Sequence, residues 1–249
     1  MMEEKRENII EVKDVFKSFV IPHDRAYTLK GAVVNWFKKK NGVDHLHALE
    51  NVSFEVGKGE FFGIIGKNGS GKSTLLKILA GVYTADKGKV KIKGLVSPFL
   101  ELGIGFNPEL TGRENIYLNA TVLGLTKKEI DKKFDSIVEF SELERFIDQK
   151  LKNYSSGMSV RLAFSVAIHA NRDILLMDEV LAVGDINFQQ KCLAKFEEYK
   201  ANGKTIILVS HDIGAIEKYC DKVMLLQNGQ IIKIGDPKEV VEEYKKENE

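Results

Sequence analysis

The hydrophobic pattern of this chain changes along its length, and each kind of pattern predicts a different element. Residues 9–12 and 52–56 are β-branched or alternate between apolar and polar, which predicts two early strands. Residues 174–177 and 205–209 are near-continuous apolar runs, typical of parallel strands buried on both faces. The remaining predicted strands are 61–65, 88–92 and 222–226.

Residues 98–170 change to a helical pattern. Three pairs of Ser or Thr with a Glu three positions later have the spacing of a capping box and predict helix starts. These pairs are Thr111 with Glu114, Thr126 with Glu129, and Ser141 with Glu144. A helical block between strands predicts a helical lobe set into an α/β core.

An insert of residues 22–47 separates the first two predicted strands. It contains the apolar segment 32–37, with Trp36, followed by three lysines at 38–40. The interpretation we favour is an amphipathic surface helix that ends in solvated lysines. The alternative is that Trp36 and the lysines lie near anionic lipid headgroups beside a membrane partner.

Composition excludes several classes of protein. The 249 residues are 43% hydrophobic and 29% charged, as in an ordinary globular protein, and the net charge of +1 gives no reason to expect nucleic-acid binding. Cys192 and Cys220 have no partner motif, which favours reduced thiols and a cytoplasmic location. The start of the chain has no signal-peptide core, and no apolar run reaches the roughly 18 residues that span a bilayer. Any role at a membrane is therefore expected to depend on a partner at its cytoplasmic face.

The strongest motif is a complete G-x-x-x-x-G-K-S phosphate loop between the predicted strand 61–65 and a predicted helix. Its backbone N–H groups and the helix N-terminus are expected to surround the phosphates of a nucleoside triphosphate. Lys72 would contact the β- and γ-phosphates, and Ser73 would bind Mg²⁺. The predicted nucleotide-binding residues are Gly66, Lys67, Asn68, Gly69, Ser70, Gly71, Lys72, Ser73 and Thr74.

Two buried strands end in residues suited to phosphate chemistry. Asp178 and Glu179 follow the run 174–177. We expect Asp178 to hold Mg²⁺, through water or Ser73, and Glu179 to polarise the attacking water as general base. His211 follows the next strand, so it is predicted at the same sheet edge, where it would donate to the γ-phosphate or orient water.

Tyr154-Ser155-Ser156-Gly157-Met158 opens an apolar helix. Small residues at a helix start make a second anion site, and the simpler alternative is an N-cap by Ser155 or Ser156. With the phosphate loop, Asp178-Glu179 and His211, this segment resembles the signature of the nucleotide-binding subunits of ABC transporters. The usual signature is Leu-Ser-Gly-Gly-Gln, from which Ser156 and Met158 depart.

The resemblance covers nearly the whole chain and implies a single ABC-type ATPase domain over 1–249, with 98–170 as its helical subdomain. The implied fold class is α/β: a phosphate-loop NTPase core with a mainly parallel sheet, an N-terminal antiparallel β subdomain and an inserted α-helical lobe. The implied assembly is a head-to-tail dimer of two copies with ATP and Mg²⁺ in each seam. Ser155, Ser156, Gly157 and Met158 of one copy would face the phosphate loop of the other, with Asp185 in the D-loop position 182–185 and His211 as the switch histidine.

A finer resemblance is to the ATPase subunits of exporters of O-antigen, capsule or teichoic acid, and it rests on residues 100–117, 154–158 and 181–185 and on the long insert. It implies a transmembrane permease partner, a lipid-linked polysaccharide as cargo, and peripheral attachment to the cytoplasmic face of the membrane. Glu101 is our candidate for the usual Mg²⁺-sensing Gln. Phe19, within 15–19, is our choice for stacking on adenine, with Phe16 as a core residue. No C-terminal carbohydrate-binding domain is expected.

Two alternatives remain open from the sequence. One is an ABC ATPase subunit for another cargo, such as a lipid, a drug or a solute. The other is a soluble ABC ATPase that works on ribosomes or DNA, but the single phosphate loop and the near-zero net charge count against it.

Overall fold

The protein is described by a computed structural model, and the residues that this structure describes are 7–22, 43–99, 103, 105–170, 172–178 and 184–247. The strands are β1 Asn8–Pro22, β2 Val43–Gly57, β3 Phe61–Ile65, β4 Lys87–Ile92, β5 Val96–Phe99, β6 Ile174–Asp178, β7 Thr205–Val209, β8 Lys222–Gln227 and β9 Gln230–Gly235. The α-helices are α1 Lys72–Leu79, α2 Gly112–Val122, α3 Lys127–Ser141, α4 Ser156–His169, α5 Ile186–Ala201, α6 Ile213–Tyr219 and α7 Pro237–Lys246, with a short 3-10 turn at Leu151–Asn153.

The strands form two sheets. β2, β1 and β4 pair in that order as an antiparallel sheet. The larger sheet has the order β5-β6-β7-β3-β8-β9, and its neighbours are parallel except for the antiparallel pair β8–β9. The predicted fold class is confirmed: an α/β core with a mainly parallel sheet, an N-terminal antiparallel sheet and a block of helices.

Strand β3 lies in the centre of the larger sheet and is buried on both faces. Phe61 and Ile65 point into a core formed with helices α4 to α7, whereas Phe62 and Ile64 point into a second core shared with α1 and the antiparallel sheet. This alternation is the period of two that a strand imposes on its side chains. It fixes the loop after β3 rigidly above the middle of the sheet.

The helical block from α2 to α4 has a hydrophobic core of its own. Two predicted helix starts are confirmed, because Thr111 with Glu114 and Thr126 with Glu129 form complete capping boxes. The third was wrong: Ser141 is the last residue of α3 and not the start of a helix. Its buried hydroxyl donates to the carbonyl of Val138 at 2.7 Å.

The predicted insert 22–47 is shorter than expected. β1 extends to Pro22 and β2 begins at Val43, and Ser18 to Pro22 pair with residues 43–47 as a ladder. Residues 23–42, including Trp36 and the three lysines, lie outside the described residues. No helix in the described part of the chain combines the length and hydrophobicity that crossing a bilayer requires.

Phe16 was predicted in the core and is only half-buried, whereas Val15 is fully buried. The pairing of β1 with β2 shifts register on both sides of Val15, so a strict alternation drawn from the sequence misplaces its neighbour. Cys192 and Cys220 are both buried free thiols. Burial raises the pKa of each to about 12, which keeps them protonated.

Candidate functional site

The phosphate-loop residues join β3 to α1 at the carboxyl edge of the larger sheet. Ile65 ends the strand and is buried, and Lys72 begins the helix. Gly71 is the N-cap of α1 in a left-handed conformation, and no side chain of the described residues caps this helix end. An α-helix N-terminus directs backbone N–H groups and a partial positive charge outwards, which favours an anion there.

Two glycines of this loop have no room for a side chain. A Cβ on Gly66 would lie 2.1 Å from the carbonyl oxygen of Leu226, and a Cβ on Gly71 would lie 2.5 Å from that of Ala48. Both neighbours are backbone atoms of adjoining strands, which cannot turn aside as a flexible side chain could. The loop is therefore held close to β2 and β8, and only glycine satisfies these two positions.

Lys72 is buried, with 6% of its surface exposed. Its ammonium donates to the carbonyl of Gly66 at 2.7 Å and to that of Lys67 at 2.9 Å. The positive charge is thus held inside the loop, where it can contact an anion that the loop binds. Ser70 is also buried, and its hydroxyl has no hydrogen-bond partner within the described residues.

Ser73 and Asp178 lie together although they are far apart in sequence. The Ser73 Oγ donates to the Asp178 Oδ2 at 3.3 Å. Mg²⁺ binds oxygens octahedrally at about 2.0–2.1 Å, which places neighbouring ligands about 3 Å apart. The pair fits Mg²⁺, which commonly uses one or two protein oxygens together with waters and substrate phosphates.

His211 follows β7, the strand that lies between β6 and β3. Its side chain is exposed, and neighbouring residues fix the turn that carries it. Asp212 donates its N–H to the Ser210 hydroxyl at 3.0 Å. The Asp212 carboxylate caps α6 by accepting from the Ala215 N–H at 3.1 Å. β7 therefore places His211 at the same sheet edge as the phosphate loop and Asp178. Glu179 and Glu101 lie outside the described residues.

A depression of about 210 Å³ lies beside the phosphate loop. Phe19 forms one wall, and its half-buried ring packs edge-on against Tyr83 at 5.4 Å between centroids. The nitrogen of Lys17 lies 5.5 Å from the same ring. The predicted stacking residue and the phosphate loop thus belong to one depression, lined by Phe19, Leu46, His47, Ala48, Asn68, Gly69, Gly71, Lys72, Ser73 and Thr74.

The predicted signature residues start helix α4. Ser155 is the N-cap, and its hydroxyl accepts from the N–H of Met158 at 3.2 Å. Tyr154 anchors the turn by donating its hydroxyl to the carbonyl of Phe146 at 2.7 Å. Burial raises the pKa of Tyr154 to about 12, so the hydroxyl remains a donor.

A second depression, of about 490 Å³, lies at this turn and is lined by Ser155, Gly157, Met158, Arg161, Gly184 and Asp185. Asp185 is the N-cap of α5 and accepts from the N–H of Phe188 at 3.0 Å. Among the described residues, none of those that line the second depression also lines the depression at the phosphate loop. A single chain thus keeps its signature turn out of its own phosphate-loop depression.

Sequence reasoning missed several residues of the two depressions. Arg161 was not predicted, although a cation on the otherwise apolar helix α4 is a usable signal. Leu46, His47 and Ala48 were placed at the end of the insert or next to it, and no motif marks them as neighbours of the phosphate loop.

Residues 49–182 match the protein-family model described as ABC transporter. The O-antigen export system ATP-binding protein RfbB of Klebsiella pneumoniae is 46% identical over 96% of this chain and 98% of its own length. The RfbB of Myxococcus xanthus is 45% identical over 98% of this chain, which spans 57% of that protein. The teichoic acids export ATP-binding protein TagH of Lactococcus lactis is 49% identical over 80% of this chain and 42% of its own length. A solved structure described as the ATP binding subunit of an ABC transporter has a TM-score of 0.74 and 25% identity, covering 95% of this chain and 93% of that chain.

Proposed function

The chain belongs to the ABC transporter family, and on that premise we propose that it is the ATP-hydrolysing subunit of an exporter of a lipid-linked polysaccharide. The observation that carries the ATPase part is the meeting of the phosphate loop, the Ser73–Asp178 pair and His211 at one sheet edge. The cargo rests on relatives that are named as O-antigen and teichoic acid export proteins.

In this proposal the phosphate loop binds the triphosphate of ATP. The Lys72 ammonium exchanges its loop carbonyls for β- and γ-phosphate oxygens, and the uncapped start of α1 adds positive potential. Ser73 and Asp178 hold Mg²⁺, which when bound neutralises phosphate charge. Phe19 stacks on the adenine from the wall of the same depression.

Hydrolysis needs a base for the attacking water and a donor for the γ-phosphate. We assign the base to Glu179, the residue after Asp178, and the donor to His211. The turn between Ser210 and Asp212 holds His211 at the edge where the γ-phosphate would lie. Glu101 remains our proposed contact to Mg²⁺ from the start of the helical lobe.

We propose that the complete site forms between two copies of the chain. Within one chain the signature turn and the phosphate loop line separate depressions. A second copy placed head to tail would bring its Ser155, Ser156, Gly157 and Met158 to the γ-phosphate, with its Asp185 beside them. Each seam then holds one ATP, so the dimer closes when ATP is bound and opens after hydrolysis, which is a shift of populations by differential binding.

Such a subunit works at the cytoplasmic face of the membrane on a transmembrane permease, through which the polysaccharide passes. Closure and opening of the dimer would drive the permease through a conformational gating step. We propose no nucleic-acid partner for this subunit.

The test is the ATPase activity of the chain co-purified with the membrane protein encoded beside it, with and without lipid-linked glycan. The proposal expects glycan to stimulate turnover. A matched complex that carries Glu179→Gln separates coupled hydrolysis from contaminating ATPase. In a stable, active complex, the rate of ATP hydrolysis could stay the same with every glycan and rise with another lipid or solute. That result would overturn the cargo assignment, while the assignment as an ATPase would stand.

A further inference from the structure

Glu142 occupies a backbone conformation that its side chain disfavours. It is the C-cap of α3 with φ 58° and ψ 35°, the left-handed region in which glycine is the usual residue. Its carboxylate accepts from Arg161 Nη1 at 3.0 Å and from the ammonium of Lys191. Glycine at this position would relieve the backbone and lose both contacts.

Arg161 carries the connection to the second depression. It lies on α4 one turn after Met158, and its other terminal nitrogen donates to the carboxylate of Asp185. Its guanidinium also packs over the ring of Phe188 at 5.2 Å, and only 18% of its side chain is exposed. The planar fork of arginine can engage two carboxylates at once, which a lysine ammonium does with far less geometric definition.

The four charged residues therefore join three segments of the chain. Glu142 is the C-cap of α3, Arg161 belongs to the signature helix α4, Asp185 is the N-cap of α5, and Lys191 lies within α5. Arg161 and Asp185 line the same depression as Ser155. Exposed ion pairs contribute little to the free energy of unfolding one by one, but a shared network fixes the separation of the elements it joins.

We propose that Glu142 is a positioning residue that, through Arg161 and Lys191, holds the signature turn and Asp185 as one rigid surface for the nucleotide of the second copy. The inference rests on the proposed dimer. Glu142 touches no nucleotide in this scheme. It acts on the side of the seam that the signature turn forms, and it leaves the phosphate loop of its own chain unchanged.

The test compares Glu142→Gln, which removes the charge, with Glu142→Gly, which also relieves the backbone. Glu197→Gln is the matched control, because it removes a 3.0 Å ion pair that joins α5 to Lys218 on α6. Three quantities are measured for each variant: the affinity of the isolated chain for a fluorescent ATP analogue, ATP-dependent dimerisation in the Glu179→Gln background, and kcat for ATP.

Both Glu142 variants are expected to lower kcat and the dimer association constant by about threefold or more, with the affinity of the isolated chain unchanged. Glu142→Gly is expected to do so while unfolding at a higher urea concentration than Glu142→Gln. The Glu197→Gln control is expected to keep kcat and the dimer association constant at their wild-type values.

Two outcomes would overturn the inference while the dimer stands. One is wild-type kcat and dimerisation in both Glu142 variants. The other is recovery of wild-type values in Glu142→Gly, because this variant also lacks the carboxylate and would show that the ion-pair network is not needed to hold the signature turn. If the parent Glu179→Gln chain itself stays monomeric with ATP, the proposed dimer fails instead.

Discussion

Gly71 and Gly69 lie two residues apart in the phosphate loop and make a matched pair for measuring steric constraint. Both have positive φ, 108° and 79°. A Cβ on Gly71 would lie 2.5 Å from the Ala48 carbonyl oxygen and 2.9 Å from a methyl of Leu49, whereas a Cβ on Gly69 would meet no atom of the described residues within 4 Å. Alanine is thus strained at both positions, and it collides with its neighbours only at Gly71.

The magnitudes follow from this difference. A left-handed conformation costs alanine about 1–2 kcal/mol, which is the loss of unfolding free energy we expect for Gly69→Ala. Forcing a methyl into a packed backbone adds about 1–3 kcal/mol, so Gly71→Ala should lose about 2–5 kcal/mol. That is a large part of the roughly 5–15 kcal/mol by which a folded domain is stable.

The assay is urea unfolding at 25 °C without nucleotide, followed by far-UV circular dichroism. Gly81→Ala is a second control outside the loop, since Gly81 has φ 75° and no atom in the described part of the chain lies within 4 Å of its would-be Cβ. Gly69→Ala and Gly81→Ala should agree with each other. Equal losses in Gly71→Ala and Gly69→Ala would refute the reasoning that the backbone of β2 restricts the loop.

Four further outcomes are expected. Lys72→Met removes the buried ammonium and should lower the affinity for an ATP analogue about tenfold or more; wild-type affinity in a fluorescence titration would exclude its phosphate contact. Asp178→Asn should shrink the gain in nucleotide affinity that Mg²⁺ brings, measured by the same titration with and without the ion, and an unchanged gain would contradict the Ser73–Asp178 site. Glu179→Gln should keep ATP binding and lower turnover about 100-fold or more, so normal turnover would remove Glu179 as the base. Burial lowers the pKa of His169 in the folded chain, so the unfolded chain takes up the proton first as pH falls through about 6.5, and the free energy of unfolding decreases there. His169→Gln should therefore flatten the decline of the urea midpoint between pH 7.5 and 5.5. An equally steep decline in this variant would exclude His169 as the cause.

The elements that sequence predicted best are those whose pattern reflects burial on two faces. The runs 174–177 and 205–209 became adjacent parallel strands because a strand covered on both faces is the kind of element that buries four or five consecutive apolar residues. Local polar patterns were less decisive. Ser141 has the spacing of a cap, but the apolar stripe of α3 continues through Val138 and extends the helix over it.

The phosphate loop and the residues after β6 and β7 were also predictable, because motif and strand end coincide in sequence. The contacts between distant segments were not. Glu142, Arg161 and Asp185 are separated by about twenty residues at each step, and no sequence motif contains more than one of them. Only the packing of α3, α4 and α5 brings them together, so a network of this kind needs the tertiary structure.

The most direct test of the account is complementation between two inactive variants. Lys72→Ala disables the phosphate loop. Gly157→Asp places a charge at the signature turn, at a helix start where an acidic residue is tolerated. There is room for the side chain, because the nearest atom of the described residues to a Cβ at this position is the Ser155 hydroxyl oxygen at 3.9 Å. Each variant alone should be inactive. Random pairing of equal amounts should restore about a quarter of wild-type ATPase activity, because about half of the dimers then hold one intact seam. A mixture no more active than its components, in dimers shown to exchange subunits, would contradict a site built from two copies.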